Sequence, residues 1–287
     1  SNHKQDITED WSFGWSVRAS SDNNYPNDFS KTVSSSTERQ LLRELRTDYH
    51  GEFWSLTARV QKYQVLQDPA STTFPELFVT RPYDRLPAIN FNAAQYDVAG
   101  GFDWAFDSEL TRFNHPTEIN GTRLVGIPQL SYPIVGPSYF ITPKVMVNLA
   151  SYQLDSLGTQ GSRNLSRVVP TVSLDSGLVF ERDVKFQNKE MTQTLEPRLF
   201  YVKTPYRDQS QFPTFDTSAA TFNFSQIFSE NRFVGSDRIG DANQLTAALV
   251  SRFLDASGAE QLRLAFGQRF YFEDQRVQLN SATPVSE

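Results

Sequence analysis

The stretch Trp11-Ser-Phe-Gly-Trp-Ser-Val-Arg-Ala19 puts Trp11, Phe13, Trp15, Val17 and Ala19 on one side of an extended chain, and Ser12, Gly14, Ser16 and Arg18 on the other. Successive side chains of a β-strand point to opposite faces, so a period of two over nine residues predicts a strand with one apolar face. The same test finds Leu41 to Tyr49, and then Trp54, Leu56, Ala58 and Val60 opposed to Ser55, Thr57, Arg59 and Gln61. Further on, Phe102, Trp104 and Phe106 oppose Asp103, Ala105 and Asp107, and Ile141, Val145, Val147 and Leu149 oppose Thr142, Lys144 and Asn148. Val168, Val172 and Leu174 oppose Thr171, Ser173 and Asp175; Leu195, Leu199 and Tyr201 oppose Thr194, Glu196 and Arg198. Late in the chain, Leu245, Ala247, Leu249 and Phe253 oppose Gln244, Thr246 and Arg252, and Leu262, Leu264, Phe266, Phe270 and Phe272 oppose Arg263, Gly267 and Arg269. With two blurrier runs at 86–97 and 122–134, the reading is eleven strands of about 9 to 15 residues, and no sustained helical period.

The connections between these strands alternate in length. Residues 20–37 are long and His50-Gly51 is tight; 67–85 is long and Ala99-Gly100-Gly101 tight; 113–121 is moderate and 135–138 tight. The alternation goes on with 154–166 long, 183–190 shorter, 204–240 very long, Asp255 to Glu260 short and 274 onward long. Membrane-spanning antiparallel barrels are built in this way, with short periplasmic turns at one end and long extracellular loops at the other. The competing soluble β-sandwich or propeller has strands of about 5 or 6 residues and no reason to sort loops by parity. It would also have to bury Arg59, Asp103, Asp107, Lys144, Asp175, Glu196, Arg198, Arg252, Arg263 and Arg269, whereas a wide barrel turns them toward a wet lumen. The fold expected is therefore an all-β antiparallel transmembrane barrel segment, with those ten charges as lumen-facing candidates for contact with a plug or an amphipathic lipid.

Composition limits the function. Among 287 residues, 38% are hydrophobic and 13% aromatic, yet no apolar run approaches the 18 or so of a membrane-spanning helix. A net charge of −6 without a basic run argues against nucleic acid as a partner. There is no cysteine, hence no disulfide and no thiolate metal site. His3, His50 and His115 fall in polar or turn-like stretches and read as solvated. Leu174-Asp-Ser-Gly177 resembles an aspartic-protease element, but no second copy supplies the carboxylate that mechanism shares a proton with. A lipid hydrolase would need a serine beside a histidine, and no strand carries one. The three sequons at Asn120, Asn164 and Asn223 are short enough to arise by chance. No catalytic residue, cofactor or metal site is expected. Ser1 to Asp10 shows no leader and no lipidation motif, and both ends read as truncations.

Two local patterns are left open. Glu196 and Arg198 share one face of a strand and could pair with each other or with a neighbour's charges; Arg198, Arg252, Arg263 and Arg269 are the nearest thing to an arginine cluster for sugar phosphates, and their partners could equally be Glu196 and Asp175. Pro128, Pro143, Pro170 and Pro197 each fall inside an expected strand, where each deletes a ladder hydrogen bond; a β-bulge at each site is the plainer reading, weakly zipped neighbouring strands the sharper one.

Residues 192–255 are more specific. Thr192-Gln-Thr-Leu-Glu-Pro-Arg-Leu-Phe-Tyr201, Pro205-Tyr-Arg-Asp-Gln-Ser210 and Asp237-Arg-Ile-Gly-Asp-Ala-Asn-Gln-Leu-Thr246 resemble, in order and spacing, the barrel of the LptD family of lipopolysaccharide-assembly proteins. The matching residues are Glu196, Pro197, Arg198, Pro205, Tyr206, Arg207, Asp208, Gln209, Asp237, Arg238, Asn243 and Gln244. Arg167 to Asp183, Tyr63-Gln-Val-Leu-Gln67, Tyr25-Pro-Asn-Asp-Phe29 and Gly267-Gln-Arg-Phe-Tyr-Phe272 resemble flanking pieces. The resemblance implies a Gram-negative outer-membrane location and a role in inserting lipopolysaccharide into the outer leaflet, through a large barrel plugged by an LptE-type lipoprotein and open sideways between its first and last strands. It also implies a periplasmic jellyroll, reached by an LptA-type bridge, and cysteines flanking the barrel; eleven strands would be fewer than half of such a barrel, without jellyroll, cysteines or gate. Outer-membrane lipid would surround the apolar faces, and the loop 204–240 would be extracellular. A general porin or nutrient-receptor barrel is the alternative function.

Overall fold

The computed structural model describes residues 1–20, 39–67, 72–73, 78–155, 163–186, 189–221 and 223–279. In chain order the strands are β1 (Asn2–Asp6), β2 (Trp11–Val17), β3 (Gln40–His50), β4 (Trp54–Val65), β5 (Asp84–Val98), β6 (Phe102–Asn114), β7 (Gly121–Ser131), β8 (Ile134–Val135), β9 (Tyr139–Leu154), β10 (Arg163–Leu178), β11 (Phe180–Phe186), β12 (Lys189–Thr204), β13 (Ser218–Ala219), β14 (Phe233–Val234), β15 (Ala242–Asp255) and β16 (Glu260–Tyr271). One 3-10 turn, Gln226–Phe228, lies between β13 and β14.

The main sheet follows the sequence, in the order β1-β2-β3-β4-β5-β6-β7-β9-β10-β12-β15-β16, with β8 on β9 and β11 on β12. β1 and β16 are the two ends of this path, and no pairing joins them among the described residues. Sixteen strands rather than eleven corrects the count. All eleven expected strands are present; the surplus is β1, β8, β11, β13 and β14. β1 reads Asn-His-Lys-Gln-Asp, which carries no apolar alternation to detect, yet it pairs with β2 from Asn2↔Ser16 to Asp6↔Ser12. β8, β13 and β14 are two residues each. The first expected strand ends at Val17 rather than Ala19.

β11 arises at a proline. Gly177 faces Arg198 and Phe180 faces Leu195, three residues further along each chain, so β10 and β11 hold one register against β12. The gap between them falls opposite Glu196-Pro197, where the proline has no N–H to offer the ladder. Pro197 is not at a bulge: β12 stays in step with β15 through Pro197↔Leu249. Register shifts occur elsewhere, between Phe253 and Leu254 on β15 and between Arg59 and Gln61 on β4. Because β11 runs to Phe186 and β12 begins at Lys189, the connection expected at 183–190 shrinks to 187–188. Short connections thus follow β1, β3, β5, β8, β11 and β15, and the long ones alternate with them.

The chain divides into two compact units, residues 1–94, 106–126 and 150–166, and residues 95–105, 127–149 and 167–287. In the first, Leu66, Ala88, Phe113, Val125, Tyr152 and Leu154 are buried, together with Gln61, Asp84, Thr111 and Arg123. His115 is buried too, against the expectation of a solvated ring: its Nδ1 accepts the main-chain N–H groups of Thr117 and Glu118, and it lies beside Tyr83. It caps a turn, and nothing in its sequence neighbourhood announces that. In the second unit Phe200, Val202 and Ala242 form a small apolar cluster with Phe228 packed on it.

Candidate functional site: a polar face closed by a folded loop

β10 is inside out by the standard of a soluble strand. Val172 and Leu174 are 44% and 42% exposed, while Arg167 and Ser173 between and before them are 5% and 7% exposed. Water-soluble sheets bury the apolar side and solvate the polar one; here the polar side is covered and the apolar side bare. The same holds along β12 and β15, where Leu195, Leu199 and Leu249 are exposed while Thr194, Gln244 and Thr246 are buried. In the first unit Leu124 is exposed beside fully buried Arg123, which pairs with Glu109 at 2.6 Å and lies 4.8 Å from the Phe113 ring centroid. Large aromatics cluster at the short connections: Trp11, Tyr49 and Phe53 at one end of β2 to β4, Phe102 at the start of β6, and Tyr132 and Tyr139 around β8, all exposed.

What covers the polar face in the second unit is the chain's own connection 205–241. Its 3-10 turn descends onto β12, β15 and β16. Thr246 donates its hydroxyl to Ile227 O at 2.7 Å, and Arg269 donates from Nη2 to Gln226 O at 2.8 Å. The Ile227 side chain fills a notch left by Gly267, beside the Ala248 methyl. Arg198 lies 4.0 Å over the Phe228 ring, and Lys144 pairs with Glu230 at 3.1 Å, which Ser173 also contacts. Burying Ile227 contributes on the order of 1.5–3 kcal/mol, and half-buried Phe228 adds less.

A second set of contacts clamps the loop from its base. Buried Arg167 donates from Nη1 to Gln209 Oε1 and Asp237 O, both at 2.7 Å, and from Nη2 to Asn148 Oδ1 at 3.0 Å and Ser236 O at 2.7 Å. The Asp237 carboxylate accepts the main-chain N–H groups of Phe215 and Asp216, and its own N–H donates to Thr217 Oγ1. Arg238 donates to the carbonyls of Phe212, Pro213 and Gln278. Asp241 accepts from the N–H groups of Arg276 and Val277, and Arg232 donates to Gln275 and to Val277 O, so residues 273–279 are tied to the same loop. Burial lowers the Arg232 pKa, countered in part by Asp241.

The positions singled out from the sequence are distributed as follows. Arg198 forks onto Asp175 at 2.9 and 2.6 Å, and Arg252 meets Glu196 at 3.2 Å, so both carboxylates pair with the neighbouring strand and not along their own. Arg252 also approaches Glu260, while Arg263 stands opposite it and is exposed. Asp103 accepts from Asp97 N–H in the turn after β5, and Asp107 from Asn92. Arg59 stands opposite Arg46, which is held by Asp48. Of the family-motif positions, Gln209, Asp237 and Arg238 hold the loop; Asn243 accepts from the Tyr201 hydroxyl and Gln244 from Gln275; and Tyr206 lies under Arg276 at 3.9 Å. Asp208 accepts the Ser210 N–H, which holds its carboxyl below the usual range. Pro205 and Arg207 lie in the extended stretch after β12. The sequence reading overlooked Arg123, Asn148, Arg167 as a side chain, Ile227 and Glu230. Gly267 was the available signal, since a glycine in the polar row inside a strand marks a close approach. The piece at 25–29 lies outside the described residues.

A family model described as "LptD: LPS transport system D" matches residues 1–287. The chain is 45% identical over 274 residues to an LPS-assembly protein LptD of Ralstonia nicotianae, covering 93% of this chain and 33% of that protein. It is 44% identical to the LptD of a Polaromonas species over 93% of this chain, and 43% identical to that of an Azoarcus species over 99% of it, in each case about a third of the relative's length.

Proposed function

The chain belongs to the LptD family, and from that premise we propose that it forms a stretch of outer-membrane barrel wall in the apparatus that delivers lipopolysaccharide to the outer leaflet. The observation that carries the reading is the inverted strand, with Val172 and Leu174 bare on one side and Arg167 and Ser173 covered on the other. Such a strand suits lipid outside and a polar interior inside. The aromatic residues at the short connections fit the periplasmic girdle of such barrels. The role is structural and conductive, without bond chemistry.

Seven of the ten charges named from the sequence then fall into two groups. Lys144, Asp175, Glu196, Arg198, Arg252 and Arg269 serve the wall and its docked loop. Arg59, with Arg46 and Asp48 on β3, is the better candidate for an LptE-type plug, as charge on the polar face of the first unit. Passage of lipopolysaccharide along the interior, a jellyroll and an LptA-type bridge rest on the family resemblance. The long connections would face outward from the cell, loop 205–241 folding inward from that side.

Conditional depletion of the full-length protein in its Gram-negative host is the test. Newly made lipopolysaccharide should stop reaching the cell surface, while uptake of small solutes is unaffected. Normal surface delivery with reduced solute uptake would favour the porin alternative and overturn the reading.

A further inference from the structure

The outward face of the β3–β4 hairpin carries charge at one place. Leu45 stands opposite Val60, both exposed. The next outward pair toward the long connections is Arg43 opposite Lys62, both exposed. Like charges directly opposed on a sheet face repel and cost stability. Arg43 donates to the Gln64 side chain and to Arg18 O, both neutral, and neither cation forms an ion pair among the described residues. Of the acids on β3 and β4 themselves, Glu44 stands opposite buried Gln61 on the other face and accepts from it, and Asp48 is held by Arg46 and Thr57. In the second unit, the outward cation near the long-connection end of β12 is neutralised, because Lys203 pairs with Glu273 at 2.6 Å.

We propose that Arg43 and Lys62 form a site for the phosphate of a phosphorylated glycolipid in the outer leaflet, whose acyl chains lie along Val17, Leu45 and Val60. This rests on the barrel reading, which makes that face lipid-exposed. Two opposed cations with no carboxylate paired to them among the described residues create a demand for one dianion, and the guanidinium fork matches two phosphate oxygens. Both side chains have apolar stems long enough to carry their charge to headgroup level. The surface around them is aliphatic, which suits acyl chains better than an acidic protein partner.

The full-length protein would be placed in phosphatidylcholine nanodiscs containing either diphosphoryl lipid A or its dephosphorylated counterpart, and lipid retained on ejection counted by native mass spectrometry. Wild type should retain the phosphorylated form, and Arg43→Gln/Lys62→Gln should lose up to about thirtyfold in apparent affinity, about 2 kcal/mol for two cations at an anionic surface. Arg43→Lys/Lys62→Arg should keep most of it, and Lys203→Gln all of it. Equal retention of both lipids, or no loss in the double variant, would overturn the site. Strong displacement by inorganic phosphate alone would overturn the lipid identity. Failure of the protein to enter nanodiscs at all would instead overturn the barrel reading.

Discussion

A Cβ on Gly267 would come within 2.5 Å of Ile227 Cδ1. The deepest side chain of loop 205–241 therefore occupies volume that only a glycine on β16 leaves free. Gly267→Val should lift the 3-10 turn from the wall at a cost of about 1–3 kcal/mol, and Ile227→Ala should loosen it by about 2–4 kcal/mol. Limited proteolysis of the detergent-folded protein reads this directly: cleavage within 205–241 should accelerate in both variants. Cleavage at the wild-type rate would show that the notch does not hold the loop.

Arg167 spans β9 and both arms of the loop through one planar fork. Arg167→Lys keeps the charge but cannot reach four acceptors at once, so it should cost about 2–3 kcal/mol, close to Arg167→Met. Chemical denaturation of the two variants side by side tests this. A lysine variant as stable as wild type would mean that charge alone suffices.

Hydrogen bonding by Lys203, and then by Asn243, holds the Glu273 carboxyl below its ordinary value. A lowered folded-state pKa contributes stability above the ordinary carboxylate range, and that contribution is lost as pH falls through the lowered value. Amide protection in residues 273–279 should be level from neutral pH to about pH 5 and fall below about pH 4, where carboxylates take up protons. Glu273→Gln should flatten that fall. Asp155, lowered by its hydrogen bond from Arg112, should behave in the same way at the end of β9.

The bare face of β10 separates lipid from water as its environment. Val172→Arg should cost about 2–4 kcal/mol in a bilayer, against about 0.5 kcal/mol or less at an exposed position of a soluble sheet. Gel-shift folding assays in liposomes would measure it, with Arg263→Glu on the opposite face as the tolerated control. Equal tolerance at both positions would argue against a lipid-facing wall.

Much of this was legible in the sequence because it depends on period two alone: Val168, Val172 and Leu174 announce their face without any partner. Pairing across strands was not. Arg198 lies two residues from Glu196 and one strand from Asp175, and only the register, Gly177↔Arg198, decides for Asp175. β1 was invisible because its five polar residues carry no alternation. The docked loop was expected to be extracellular, since nothing in Phe224 to Phe228 says which glycine will receive it. Loop lengths carried strand parity, but not the direction in which a loop folds.

The loop lies between β12 and β15 in sequence, yet its anchors include not only β9, β10 and β12 but also β15, β16 and residues 273–279. It cannot find its seat until the hairpin that follows it has been laid down. Docking is therefore a late event in assembly, and a seated loop certifies that the strands on both sides of it are already in register.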